Sequence, residues 1–129
     1  MKELARAYFL EKNCNCAESV LRAANDTYEL GITPEDIALI SGFGGGMGCG
    51  KACGALCGGI AAMGKAKVQG NAHVTEGFRE ACAKFATDFE CQLGGTECKD
   101  LKPKYFTQEA RCSAVVEAAA ELLDGVLGE

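Results

Sequence analysis

The chain has 129 residues, enough for one domain around one core, and 48% hydrophobic residues argue against global disorder. A net charge of −5 argues against a nucleic-acid or anionic-membrane partner, since both call for a basic surface. No apolar run approaches the roughly 18 residues that a membrane span needs, and the start, Met1-Lys2-Glu3-Leu4-Ala5-Arg6, lacks the apolar segment of a signal peptide, so a cytoplasmic location is expected.

Alanine occurs 20 times, against 10 for valine and isoleucine together. This balance favours helix over strand. The expected architecture is all-α: a single domain over residues 1–129, built as a bundle of about five to six helices with a Gly-rich loop. The first helix is expected over Lys2–Glu11, with Leu4, Ala5, Tyr8 and Phe9 on one face. After a break at Asn13–Asn15, a second runs over Cys16–Tyr28. Thr33-Pro34-Glu35-Asp36 reads as the start of a third, with Thr33 as N-cap and Pro34 at the first helical position.

That helix dies in Gly42–Gly50, where six of nine residues are glycine. Such a loop brings backbone amides close to a ligand or cofactor, and Gly48 and Gly50, with Gly54 just beyond, are the candidate cofactor-binding positions. A fourth helix is expected over about Lys51–Val68. Gly54 and Gly58 lie four residues apart on it and allow a second helix to approach closely. A fifth covers about Val74–Gln92, with Phe78, Cys82, Phe85 and Phe89 on its apolar stripe. A short segment, Glu97–Leu101, precedes Pro103. The last helix is expected over about Thr107–Leu123, with Cys112, Val116, Ala119 and Leu123 inward.

Gly45 to Lys51 matches the G-x-x-x-x-G-K of a phosphate loop. Ala52, however, replaces the hydroxyl residue that holds magnesium, and the chain has too few strand-like segments for a parallel sheet. His73, the single histidine, reads as a surface or capping residue.

Nine cysteines carry the strongest signal. In a chain without a signal peptide, an odd number of cysteines points to metal ligation or redox work rather than to a disulfide framework. No C-x-x-C occurs, which weakens thioredoxin-like, zinc-ribbon and bacterial ferredoxin readings alike. Cys53 and Cys57, four apart, share a helix face, with Cys49 in the loop before them. Cys82 and Cys91 read as small hydrophobes.

Cys53-Gly54-Ala55-Leu56-Cys57-Gly58 contains C-G-A-x-x-G, and the chain from about residue 5 to 125 resembles the C_GCAxxG_C_C family of redox-active proteins. Asn15-Cys16-Ala17 looks like that family's N-terminal cysteine segment. The stretch from Phe85 through Cys98 looks like the third cysteine's segment, and Arg111-Cys112 like the fourth. The resemblance implies a helical fold with Cys16, Cys53, Cys98 and Cys112 as the central set. It leaves Cys14, Cys49, Cys57, Cys82 and Cys91 as extras. A related domain in a multi-haem cytochrome holds an iron–sulfur cluster.

Two chemistries follow. In one, the four thiolates hold a 2Fe–2S or 4Fe–4S cluster for electron transfer or sensing, with zinc in the same cage as a structural variant. In the other, the protein is a thiol–disulfide oxidoreductase. Cys53, at a helix N-terminus that lowers its pKa, and Cys16 are then the catalytic residues. A non-redox helical interaction module is the third reading. An electron-transfer partner and a homodimer are the expected associations.

Overall fold

A computed structural model describes residues 1–128. Seven α-helices follow one another: α1 (Lys2–Glu11), α2 (Cys16–Tyr28), α3 (Pro34–Ala38), α4 (Gly54–Lys67), α5 (Phe78–Leu93), α6 (Cys98–Tyr105) and α7 (Ser113–Leu127). The all-α architecture is as expected. The additional helix is α6, where Pro103 sits inside the helix rather than ending it. At the described residues no strand forms; the extended pairing is limited to the isolated bridges Ala52–Glu97 and Thr107–Arg111.

The chain folds as it does for local reasons at the first two helices. The 2–11 and 16–28 periodicity gives α1 and α2 the expected bounds. Asn15 starts α2 through a capping box: its side chain accepts from the Glu18 N–H at 2.9 Å, and the Glu18 carboxylate accepts from the Asn15 N–H at 2.9 Å. Thr33 and Asp36 build the same device at α3, with Pro34 at the first turn.

Three helix starts differ from the expected ones. α4 begins at Gly54 rather than near Lys51, because residues 51–53 are extended against residues 96–98. α5 begins at Phe78, because Gly77 takes φ +77° and residues 72–74 form a separate 3-10 turn. α7 begins at Ser113, because Thr107 and Arg111 exchange backbone hydrogen bonds of 3.1 and 2.7 Å that close a loop before it. Cys112 therefore caps the helix instead of lying on its stripe.

α7 packs against α1, α2, α4 and α5, and α2 packs most extensively on α4. The core between them holds Phe9, Val20, Met63, Phe85, Phe89, Val116 and Leu123, all buried. Each such side chain contributes about 1.5–3 kcal/mol by leaving water. The α2–α4 approach is closer than side chains permit: a Cβ at Gly58 would stand 2.5 Å from the Ala17 carbonyl oxygen. The expected role of Gly54 and Gly58 as a close-packing pair is thus realised against Cys16 and Ala17.

Candidate functional site

Four sequence-distant segments meet at one end of the bundle. Cys16 is the first residue of α2, Cys53 caps α4, Cys98 is the first residue of α6 and Cys112 caps α7. The structure places every one of the four at the start of a helix. Cys16, Cys98 and Cys112 line a cavity of about 290 Å³ together with Cys14, Gly45, Lys102 and Arg111. Cys53 is not among the lining residues; it is buried, 5% exposed, with Cys16 and Cys98 near enough to act on its thiol.

Backbone pairing registers two of these cysteines. The Cys53 N–H donates to the Thr96 carbonyl at 2.8 Å, and the Cys98 N–H donates to the Lys51 carbonyl at 2.7 Å. Glycine allows close approach at Cys16 and again at Cys98. A Cβ on Gly54 would overlap the Cys16 sulfur and stand 2.9 Å from the Phe43 carbonyl oxygen. The loop contributes a left-handed turn: Gly45, Gly46, Met47 and Gly48 have φ between 61° and 72°, a conformation glycine adopts freely. At Gly46 a Cβ would meet Cys98 Cβ at 2.8 Å. The loop residues at the site are therefore Gly45, which lines the cavity, and Gly46, which packs on the Lys51 backbone and the Cys98 Cβ; spacing alone did not single them out. Of the three glycines expected there, Gly54 lies at the site. Gly50 packs on Lys99, and Gly48 is exposed with open space beside it.

Arg111 fixes the Cys112 wall. Its Nη2 donates to the Phe9 carbonyl oxygen at 2.5 Å, and its guanidinium lies 4.6 Å from the centre of the Phe9 ring. That ties the residue before Cys112 to the end of α1 and leaves a positive charge beside the cavity.

The electrostatics overturn one expectation. Cys53 accepts from the Leu56 and Ala55 amides, which favour its thiolate, yet burial outweighs them, and the neighbouring Cys16 and Cys98 add to it, so its thiol is pushed up to about 12. A lowered Cys53 pKa at the helix N-terminus does not occur. Cys98 and Cys112 are also raised, first by burial and then by neighbouring sulfurs, with Lys102 acting in the opposite direction on both.

The other cysteines divide. Cys57 is half-buried, its thiol raised by burial and then by Cys16. Cys14 sits at the cavity rim. Cys49 and Cys91 are exposed, and Cys82 packs against the edge of the core. His73 is exposed on its turn. Among the described residues, no group of three or more Cys, His, Asp or Glu side chains is placed to hold a metal ion. No helix there is long and apolar enough to cross a membrane.

No curated protein and no solved structure matches the chain. A family model described as "Putative redox-active protein (C_GCAxxG_C_C)" matches residues 14–126, nearly the whole chain and all four of the converging cysteines, and the chain belongs to that family.

Proposed function

We propose that Cys16, Cys53, Cys98 and Cys112 hold an iron–sulfur cluster and that the protein serves one-electron transfer or redox sensing. The observation that carries this reading is that Cys16, Cys98 and Cys112, from three separate helix starts, line one cavity, with the buried Cys53 near enough for Cys16 and Cys98 to act on its thiol. Four thiolates are the donor set such a cluster takes, and the bound group supplies reversible one-electron chemistry.

The surroundings fit that group. Gly46 and Gly54 let the backbone close in on Cys98 and Cys16, where a Cβ would overlap Lys51 and the Cys16 sulfur. Lys102 and Arg111 offset the negative charge of the thiolates. Binding the group would have to displace the protons that the raised thiols of Cys53, Cys98 and Cys112 hold.

The same pKa values weigh against Cys53 as an activated catalytic nucleophile. The test is anaerobic purification followed by a visible spectrum and analysis for iron, sulfide and zinc. Stoichiometric iron and sulfide with visible bands, both lost in Cys53→Ser, are the expected result. Colourless protein that resists reconstitution with iron and sulfide overturns the reading.

A further inference from the structure

We propose that Cys57 is a fifth working thiol of this site, and that Cys16 and Cys57 form a reversible dithiol–disulfide pair that withdraws Cys16 from the four-cysteine set. Cys57 lies one turn along α4 from Cys53, its N–H donating to the Cys53 carbonyl at 3.0 Å. A Cβ on Gly54 would stand 2.4 Å from the Cys16 sulfur. On a helix, Cβ positions three residues apart lie about 5–6 Å from each other. Gly54 and Cys57 are such a pair, so the Cys16 sulfur lies against the face of α4 that carries Cys57. The neighbouring contact holds this register: the Gly58 Cα faces the Ala17 backbone too closely for a side chain between them.

The competing partner is Cys53. Its sulfur is turned into the first turn of α4, toward the Ala55 and Leu56 amides, and it is the most buried of the cysteines. Cys57 is half-buried, packs on the core edge and accepts no such pair of amides. Cys16 lines the cavity and Cys57 does not. A small-molecule disulfide entering the cavity therefore meets Cys16 first, and Cys57 attacks from behind.

The oxidant is a low-molecular-weight disulfide, RSSR. The Cys16 thiolate attacks one sulfur, forming a mixed disulfide and releasing RS⁻. The Cys57 thiolate then attacks the Cys16 sulfur, forming the Cys16–Cys57 bond and releasing the second RS⁻. The two cysteines lose two protons and two electrons, and RSSR leaves as two RSH. The disulfide needs no metal. Its consequence, that the oxidised protein cannot assemble the four-thiolate site, rests on the cluster reading above.

The test treats the reduced, metal-free full-length chain with glutathione disulfide, blocks remaining thiols and maps linkages by non-reducing mass spectrometry. The fragmentation must separate Cys14 from Cys16 and Cys53 from Cys57. A Cys16–Cys57 link, reversed by dithiothreitol, is expected, and Cys57→Ser is expected to trap the glutathione adduct on Cys16. Linkage of Cys16 to any other cysteine, or a Cys57 that stays free to alkylate, overturns the pair. Iron and sulfide uptake is measured in parallel. Reduced protein is expected to load and oxidised protein to lose nearly all uptake until reduced. Reduced protein that takes up no iron fails the cluster reading while leaving the mapped disulfide standing. Equal uptake by both forms overturns the proposed coupling.

Discussion

Cys53 and Cys98 are tied by backbone rather than by their side chains: the Cys53 N–H donates to Thr96 at 2.8 Å and the Cys98 N–H to Lys51 at 2.7 Å, across the Ala52–Glu97 bridge. Two cysteines 45 positions apart in sequence are thereby fixed at adjacent helix starts. The remaining geometry depends on small residues and caps, which makes it open to test.

Gly54→Ala is expected to destabilise the protein by about 1–2 kcal/mol. Its new methyl overlaps the Cys16 sulfur and crowds the Phe43 carbonyl, an overpacking cost that exceeds the gain in helix propensity. Gly125→Ala is the control. It lies exposed in α7 with open space around it and should gain about 0.5–1 kcal/mol. Urea unfolding of both variants, with iron uptake alongside, checks the pair. A neutral Gly54→Ala would mean that Cys16 does not sit where the structure has it.

Asn15→Ala should cost about 1–2 kcal/mol. It removes the α2 capping box and also the Nδ2 donation to the Ser41 carbonyl at 2.9 Å, which ties the glycine loop to the start of the Cys16 helix. Because one residue holds both, the variant should lose iron uptake more than its stability loss alone implies. Comparison with a variant that removes only the α3 cap, Thr33→Ala, separates the two effects.

Alkylation of the metal-free protein should follow exposure. Cys49 and Cys91 are open to solvent and should react first with iodoacetamide, while Cys53, buried and with its thiol pushed to about 12, should react last. Timed quenching with mass spectrometry reads the order. Early labelling of Cys53 would contradict its burial.

Alkaline pH should destabilise the metal-free protein. Cys14, Cys53, Cys57, Cys82, Cys98 and Cys112 all have thiols raised above the ordinary value of 9.0, burial being the first cause in each. From about pH 9 upward, the unfolded chain releases these protons before the folded one does. The unfolded state then binds fewer protons, so stability falls as pH rises toward the folded values. Urea midpoints across that range should decline. Metal-loaded protein should decline less, since its ligating sulfurs have already lost their protons.

Local structure was legible wherever local chemistry controls it. The Lys2–Glu11 and Cys16–Tyr28 helices follow from periodicity and the Asn15 cap, and the α3 start follows from Thr33 and Pro34. Gly54 and Gly58 announced a close helix contact because two glycines one turn apart leave a groove. The family resemblance singled out Cys16, Cys53, Cys98 and Cys112. The rest follows from long-range contacts that override local preference. The late starts of α4 and α7 come from pairing with residues 96–98 and from the Thr107–Arg111 loop. The choice of Gly45 and Gly46 over Gly48 comes from how the left-handed turn docks on α6. The raised Cys53 thiol has the same origin. A helix N-terminus can be read from a sequence and favours the thiolate, but desolvation depends on which other segments cover the sulfur, and here they cover it almost completely.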